Sequence, residues 1–243
     1  MSDLSMPVIN QNQKYWGLIP AAGIGKRFGS VTPKQYLKVH DREVLAWTLQ
    51  ALTRLEFLEK IVLVLHPDDK YFSEHLTSQF PDLIIADGGE ERLHSVQNGL
   101  QAIAGLADRN DWVLVHDAVR PCVTARDIHK LVTGLQNEAV GGVLASAVKD
   151  TLKRSDSDMN IAATLDRTQH WLAATPQMFR CGILQKALTA AQQSGYIATD
   201  EAAAVEALGL RVKLIEGRSD NIKITTAEDL QLAGFLLQQH AAR

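Results

Sequence analysis

Three continuous apolar runs constrain the fold more than any other feature of this sequence. Residues 60–65 read KIVLVL, residues 111–115 read DWVLV and residues 141–148 read GGVLASAV. A strand that is apolar on both faces fits a parallel sheet covered by helices on both sides. Helical patterns alternate with these runs, as at residues 42–55 and 91–104. The alternation predicts a doubly wound α/β fold with a mainly parallel sheet.

The domain organisation follows from composition and from one break in the pattern. No internal repeat, low-complexity tract or shift in composition divides the 243 residues. We therefore predict a single domain over residues 15–243, after a flexible leader at residues 1–14. The strand–helix alternation breaks at residues 149–177, a stretch too long for a simple connection. We expect a protruding β-hairpin that serves dimerisation or covers a site, with a flexible surface excursion as the alternative.

Charge and composition exclude several classes of protein. The net charge is −3 with a pI near 6.2, so we expect no nucleic acid as partner. Cys122 and Cys181 lack CxxC spacing, which argues against a disulfide framework or a zinc site. The first 14 residues lack the apolar core of a signal peptide, and no apolar run reaches membrane-spanning length. We predict a cytoplasmic protein with no membrane contact.

Residues 16–37, WGLIPAAGIGKRFGSVTPKQYL, predict an anion site. An apolar strand ends in a loop of small residues, where main-chain N–H groups can approach a ligand. Lys26, Arg27 and Lys34 add clustered cations, which suits a nucleoside triphosphate. The spacing fits neither the dinucleotide fingerprint nor the Walker loop. For the glycines alone, a tight strand-to-helix turn with surface cations would be the better interpretation.

Asp117 directly follows the DWVLV run. The carboxyl ends of parallel strands line the ligand crevice of open sheets, so we expect the Asp117 carboxylate at that edge. A carboxylate beside a polyphosphate is what Mg²⁺ requires, although such an aspartate can equally cap a helix or turn. No G-x-S-x-G or H-E-x-x-H motif and no nucleophile–base pair stands out. Phosphoryl and nucleotidyl transfer need no such pair, because the protein mainly positions groups and offsets charge.

Six segments in order, PAAGIGKRFG…TPKQYL, DGGEERLHSV, VHDAVRP, DRTQHW…ATPQ, TDEAAAVE and GRSDNIKIT, resemble the 2-C-methyl-D-erythritol 4-phosphate cytidylyltransferases. The resemblance runs from residue 16 to the last helix. It implies a Rossmann-like nucleotidyltransferase fold with a β-arm at about residues 147–175 that clasps a second subunit in a homodimer. It also implies that CTP and methylerythritol phosphate give 4-(CDP)-2-C-methyl-D-erythritol and pyrophosphate, with Mg²⁺ or another divalent cation.

The same resemblance implies roles for individual residues. The expected catalytic residues are Arg27 and Lys34, which would stabilise the transition state, and Arg167 and Lys223, which would hold the acceptor phosphate. The expected substrate-binding residues are Ala21, Ala22, Gly23, Gly25, Gly88, Arg92, Ser95, Asp117, Ala118, Thr151 and Thr199. Thr151 and Arg167 could come from the partner's arm, and the metal would bind Asp117 and Asp220. Val119 and Lys26 depart from the family pattern without removing a catalytic group.

Three alternatives remain open from sequence alone. Ribitol 5-phosphate cytidylyltransferase shares the loop and much of the fold, so the polyol is less certain than CTP. A nucleotide-binding regulatory module would keep the glycine loop but would not need Lys34, Arg167 and Lys223 together. A nicotinamide-dependent enzyme is disfavoured because the third glycine of its fingerprint is misplaced.

Overall fold

A computed structural model describes residues 8–23 and 32–241 of the chain. In this part the strands are β1 (Tyr15–Pro20), β2 (Lys38–Val39), β3 (Arg42–Glu43), β4 (Leu58–Leu65), β5 (Leu83–Asp87), β6 (Trp112–Val115), β7 (Gly141–Ala147), β8 (Leu152–Ser155), β9 (Ile161–Leu165), β10 (Trp171–Arg180) and β11 (Lys213–Glu216). The helices are α1 (Val44–Thr53), α2 (Glu74–Gln79), α3 (Arg92–Ala102), α4 (Ala125–Leu135), α5 (Cys181–Ser194), α6 (Glu201–Ala207) and α7 (Ala227–Ala241).

Seven of these strands form the central sheet in the order β11-β7-β10-β6-β1-β4-β5. Strand β10 runs antiparallel to β6 and β7, and the other neighbouring pairs are parallel. At the centre, Leu18 of β1 lies opposite Val62 of β4 and Val115 of β6. The predicted mainly parallel α/β sheet is therefore confirmed.

The apolar runs are continuous because helices cover both faces of the sheet. Side chains alternate between the two faces along each strand. In β4, Ile61 and Leu63 pack into one core cluster with α1 and α4, whereas Val62 and Val64 pack into a second cluster with α3, α5 and α6. A third cluster joins α7 to Val39 of β2 and to Val44 of α1. Within the described residues, no helix has the length and apolar character needed to cross a membrane.

The topology predicts the position of a ligand site. Strand β1 is flanked by β4 on one side and by β6 on the other, so the chain reverses its direction of growth beside β1. In doubly wound sheets, ligands bind at such a switch point, outside the carboxyl ends of the strands. The loops that follow β1, β5 and β6 meet there.

The pattern break at residues 149–177 contains two different structures. Strands β8 and β9 pair antiparallel as a separate two-stranded sheet, and most of their residues are exposed. The stretch from Trp171 onward instead belongs to β10 of the central sheet, where residues 171–173 pair with residues 145–147 of β7. The prediction that the excursion extends to residue 177 was therefore wrong at its end, because pairing with β6 and β7 draws that segment into the sheet.

The predicted flexible leader also needs correction over part of its length. The main-chain N–H of Asn10 donates to Gln136 Oε1 at 2.9 Å, and Gln13 Nε2 donates to the Gln136 carbonyl at 3.1 Å. Gln13 Oε1 in turn accepts from the indole of Trp112 at 2.8 Å. Residues 10–13 are thus tied to the end of α4 and to β6, whereas residues 1–7 lie outside the described residues.

Candidate active site

A cavity of about 600 Å³ opens at the carboxyl ends of β1 and β6. Nine of the predicted site residues line it: Ala21, Ala22, Gly23, Lys34, Arg92, Ser95, Asp117, Ala118 and Lys223. The other lining residues are Pro20, Gln35, Gly89, Glu90, Glu91, Val119, Thr225 and Thr226. Its size is within the range of small-molecule sites.

The floor of this cavity is built from small residues. The N–H of Ala21 donates to the Val64 carbonyl at 2.8 Å, and the N–H of Gly88 donates to the Leu65 carbonyl at 2.6 Å. These bonds hold the loops after β1 and β5 against the end of β4. A Cβ at Gly88 would clash with the Cβ of Ala22. Gly88 therefore supports the wall from behind, and the neighbouring Gly89 lines the cavity.

Gln35 anchors the start of the loop after β1. It is 4% exposed and lies in a 3₁₀ turn, Lys34–Tyr36. Its Nε2 donates to the Ala21 carbonyl at 2.8 Å and to the Gly23 carbonyl at 3.0 Å. Because Lys34 is the adjacent residue and lines the cavity, these bonds fix the turn that carries Lys34 relative to the loop.

Three cations surround the carboxylate of Asp117. Arg92 Nη2 lies 3.3 Å from Oδ1, while Arg120 Nε and Lys223 Nζ lie 3.2 and 3.0 Å from Oδ2. Burial raises the pKa of Asp117, but Arg92, Lys223 and Arg120 together lower it further, to well below its usual range. The carboxylate is therefore ionised at neutral pH, and the group of four carries a net positive charge next to the cavity.

A hydrogen-bonded chain behind Asp117 fixes its main chain. His116 is fully buried, and burial lowers its pKa to about 4. Its Nε2 faces the Arg120 carbonyl at 3.1 Å, and a carbonyl only accepts, so Nε2 carries the proton. Nδ1 then accepts from the Thr175 hydroxyl at 2.9 Å, and Thr175 Oγ1 accepts from the Asp117 N–H at 3.0 Å.

Asn221 holds the other side of this arrangement. Its Nδ2 donates to the Thr175 carbonyl at 2.7 Å, and its own carbonyl accepts from Arg120 Nη1 at 2.8 Å. Arg120 is therefore fixed both by Asp117 and by the segment that leads to Lys223. Strands β6 and β10 and the segment before α7 meet at this point, and they set the cation geometry together.

Arg92 connects the cation group to helix α6. It lies in the first turn of α3 and is paired through both terminal nitrogens with the buried carboxylate of Glu201. Burial lowers the pKa of Arg92, but Glu201 and Asp117 outweigh it and raise that pKa above its usual value. The guanidinium stays charged.

Several predicted site residues lie away from the cavity in a single chain. Thr151, Arg167 and Thr199 are exposed and are not among its lining residues. Arg167 Nη1 donates to the Lys149 carbonyl at 2.6 Å. Gly25 and Arg27 lie outside the described residues.

The structure does not bring the predicted metal pair, Asp117 and Asp220, together at the cavity. Asp220 Oδ2 pairs with Arg218 and lies 3.8 Å from His240 Nε2, and Asp220 does not line the cavity. Within residues 8–23 and 32–241, no three His, Cys, Asp or Glu side chains form a group able to hold a metal. Asp117 remains as one carboxylate at the cavity. One carboxylate is enough for Mg²⁺ that is held mainly by substrate phosphates and water.

Sequence reasoning missed Gln35, Glu201 and Asn221, and it assigned no role to Arg120 and Thr175, two polar residues that follow or lie within predicted strands. Each acts through a contact between distant segments, as Arg92 and Glu201 do across 109 positions. Gln35, Glu201, Thr175 and Asn221 are also buried polar residues. Buried polar groups need partners, so a lone Glu at the start of a short apolar helix, as in TDEAAAVE, was a usable signal.

A cation-rich cavity at the switch point of a mainly parallel sheet is a site for a phosphate-bearing ligand, as in a nucleotidyltransferase. The family model described as 2-C-methyl-D-erythritol 4-phosphate cytidylyltransferase (IspD) matches residues 16–239. The chain belongs to this family. A relative so named from Hahella chejuensis is 45% identical over 229 residues, which cover 94% of this chain and 95% of the relative.

Solved structures agree with this assignment. A crystal structure of a 4-diphosphocytidyl-2C-methyl-D-erythritol synthase matches with a TM-score of 0.81 at 38% identity, covering 93% of this chain and 99% of that one. The structure of 2-C-methyl-D-erythritol 4-phosphate cytidylyltransferase from Thermus thermophilus matches with a TM-score of 0.75 at 32% identity. This match covers 91% of this chain and 98% of the Thermus thermophilus chain.

Proposed function

We propose that this enzyme transfers the cytidylyl group of CTP to 2-C-methyl-D-erythritol 4-phosphate, releasing pyrophosphate. The product, 4-(CDP)-2-C-methyl-D-erythritol, is a precursor in non-mevalonate isoprenoid biosynthesis. The main support for the proposal is the composition of the cavity. Its lining combines three cations, Lys34, Arg92 and Lys223, with the small residues of the loop after β1. The family and the named relatives favour methylerythritol phosphate over ribitol 5-phosphate as the acceptor.

The chemistry needs no general base. The phosphate of the acceptor is already ionised at neutral pH, and its oxygen attacks the α-phosphorus of CTP in line with the departing pyrophosphate. One P–O bond forms as the bond to the pyrophosphate oxygen breaks. The protein's task is to hold two polyanions together, which cations fixed in a low-dielectric cavity accomplish. Lys34 and Arg27 would act on the triphosphate, and the proposed role of Lys223 is to hold the acceptor phosphate.

CTP would occupy the side of the cavity formed by the loops after β1 and β5. Ala21, Ala22 and the Gly88-Gly89 turn bring main-chain groups to its wall, with Ser95 and Arg92 beside them. Main-chain carbonyl and N–H groups can complement the exocyclic amine of cytosine. We expect this wall, in which Ala22 and Gly88 pack closely, to favour a pyrimidine over a larger purine.

The acceptor would bind on the Asp117 side, where a second subunit completes the site. Arg167 and Thr151 lie on or beside the two-stranded arm of β8 and β9, and they are exposed in one chain. Met159, Ile161 and Leu172 are also exposed, at 83%, 67% and 61%. Apolar surface of this kind is typical of a protein interface. We propose a homodimer in which each arm carries Arg167 and Thr151 to the partner's cavity.

We further propose Mg²⁺, or another divalent cation, as the cofactor. Asp117 is the residue that would hold it, together with substrate phosphates. When bound, the ion would neutralise charge on the triphosphate. Because Lys223 and Arg120 already contact Asp117 Oδ2, the residues of the chain keep the acceptor side electropositive whether or not the ion is present. Both substrates are small charged metabolites, and we place the reaction in the cytoplasm, without nucleic acid or membrane partners.

Pyrophosphate release tests the proposal. The purified enzyme is mixed with methylerythritol phosphate, Mg²⁺ and, in turn, CTP, UTP, ATP or GTP. We expect rapid release with CTP, a product with the mass of CDP-methylerythritol, and loss of activity with excess chelator. Equal release with ATP would contradict the proposed pyrimidine site, and no release with CTP would contradict the function.

A further inference from the structure

Among the residues that the structure describes near the cavity, Glu201 is the most deeply buried charged side chain, at 1% exposure. Both of its carboxylate oxygens face Arg92: Oε1 pairs with Nη1, and Oε2 accepts from Nη2 at 3.0 Å. A bidentate pair fixes the plane of a guanidinium as well as its distance. Arg92 lines the cavity, whereas Glu201 is not among its lining residues. Glu201 therefore acts on any ligand only through Arg92.

The start of α6 is held rigidly, so that Glu201 has little freedom. Asp200 caps this helix by accepting from the Ala203 N–H at 2.8 Å. Gln177 of β10 donates to Asp200 Oδ2 at 2.8 Å and accepts from the Ala202 N–H at 2.9 Å. The residues on both sides of Glu201 are thus bonded to a central strand of the sheet.

Arg92 has two competing anions. Its Nη2 lies 3.3 Å from Asp117 Oδ1 as well as 3.0 Å from Glu201 Oε2. Without the charge of Glu201, Asp117 would be its remaining carboxylate partner, and Asp117 lies on the proposed acceptor side. The pairing with Glu201 keeps Arg92 at the first turn of α3, beside the Gly88-Gly89 turn.

We propose that Glu201 is a positioning residue that orients Arg92 toward the nucleotide and thereby sets the affinity for CTP. The inference rests on the proposed function, because it needs CTP on that side of the cavity. It assigns a role to the conspicuous TDEAAAVE segment, which contributes no residue to the cavity wall.

The test measures CTP affinity separately from acceptor affinity. Glu201→Gln keeps the size of the side chain but loses its charge, and Glu201→Asp keeps the charge but shortens the reach. Glu206→Gln, at an exposed position of the same helix, is the matched control. For each variant, calorimetry gives Kd for CTP with Mg²⁺, steady-state kinetics give kcat and both KM values, and thermal unfolding reports folding.

We expect Glu201→Gln to raise Kd and KM for CTP about tenfold, as the loss of one charge-assisted contact would. KM for methylerythritol phosphate should change by less than about twofold. Glu201→Asp should lie between wild type and Glu201→Gln, and Glu206→Gln should match wild type. Because Glu201 acts through Arg92, adding Glu201→Gln to Arg92→Lys should raise Kd for CTP little further.

Unchanged CTP affinity in folded Glu201→Gln would overturn the inference and leave the proposed function intact. So would a variant that lowers only the folded fraction with both KM values unchanged, since that is a purely structural role. If Glu201→Gln fails to fold, Glu201→Asp decides, and a Kd for CTP equal to that of wild type in this variant would overturn the inference. A wild-type protein that binds no CTP would overturn the proposed function and the inference with it.

Discussion

At the scale of single residues, positive charge is concentrated at the cavity although the chain as a whole is negatively charged. The sequence carries a net charge of −3, yet Arg92, Arg120 and Lys223 all contact one carboxylate beside the cavity. Lys34 lines the same cavity. Fixed cations in a partly desolvated site stabilise charge that develops during reaction more strongly than cations in water do.

Replacement of Lys34 by alanine should lower kcat more than it raises either KM. One preorganised charge contact at a transition state is worth about 2.7–4 kcal/mol, so we expect kcat to fall about 10²–10³-fold. Lys38→Ala is the control. The Lys38 side chain is 61% exposed, and its ion pair with Glu43 is long, at 4.0 Å. Steady-state kinetics with both substrates provide the measurement. A kcat within twofold of wild type would contradict the role of Lys34.

His116 makes stability depend on pH. Its pKa is about 4 in the folded protein and near 6.5 when unfolded, so between these values only the unfolded chain binds the proton. As pH falls from 7 to 5, this residue alone should remove about 2 kcal/mol of the free energy of unfolding. Between pH 7 and pH 5, the free energy of unfolding of His116→Asn should therefore fall by about 2 kcal/mol less than that of wild type.

Urea unfolding at pH 7 and pH 5 measures this difference. His75→Asn, at an exposed position, serves as the control and should follow wild type. Other groups titrate equally in both proteins and cancel in the comparison. A pH dependence in His116→Asn equal to that of wild type would contradict the assigned neutral, buried imidazole.

At the scale of elements, the site depends on how closely the loops after β1 and β5 approach. Ala22 and Gly88 touch, and both loops are tied to the end of β4. A side chain between them would push the loops apart and widen the nucleotide wall. The contact joins residues 66 positions apart in sequence, so it can be seen only in the folded protein.

Gly88→Ala should therefore raise KM for CTP at least about tenfold, with a loss of stability of about 1–3 kcal/mol from overpacking. Gly105→Ala is a matched control, because a Cβ at Gly105 meets no atom within 4 Å. Kinetics and chemical denaturation of the two variants provide the comparison. Equal KM values for CTP in Gly88→Ala and Gly105→Ala would show that the loop contact does not shape the nucleotide wall.

The elements also show what the sequence could predict. The strands with apolar runs were predicted well: β4 spans Leu58–Leu65 where 60–65 was expected, and β1 ends at Pro20, just before the predicted loop of small residues. Such strands can be predicted from the local sequence, because burial on both faces requires apolar residues at successive positions. Strand β10 was missed at its start, since Trp171–Leu172–Ala173 is exposed and only its antiparallel pairing with β7 makes it a strand.

The same distinction applies to the site. Lys34, Asp117 and Lys223 follow strands or loops with readable motifs, and the structure brings them to one cavity. Asp220, which was also predicted for the site, does not line the cavity, and its carboxylate pairs with Arg218, a contact that nothing in GRSDN indicates. The role of Glu201, and the bond from Arg120 to the Asn221 carbonyl, depend on long-range contacts that only the fold supplies.

At the scale of the whole molecule, the proposed site needs two chains. Arg167 and Thr151 do not reach the cavity of their own chain, whereas Lys34 and Lys223 line it. If the partner supplies Arg167, each active site combines Lys34 of one chain with Arg167 of the other. Heterodimers that carry two different lesions distinguish this arrangement from one within a single chain.

We expect a doubly tagged heterodimer of Lys34→Ala and Arg167→Ala chains to show about half of wild-type activity, because one of its two sites is intact. A heterodimer of a wild-type chain with a Lys34→Ala/Arg167→Ala chain should be almost inactive, because each site then carries one lesion. Activity assays after tandem affinity purification provide the measurement. The reverse pattern would place Arg167 in the site of its own chain.

The central claim is cytidylyl transfer to methylerythritol phosphate, and a competition assay tests it most directly. Equal concentrations of methylerythritol 4-phosphate and ribitol 5-phosphate compete for limiting CTP, and mass spectrometry gives the ratio of the two products, which equals the ratio of kcat/KM values. We predict that CDP-methylerythritol exceeds CDP-ribitol by at least about tenfold. An excess of CDP-ribitol, or no CDP-linked product, would contradict the account.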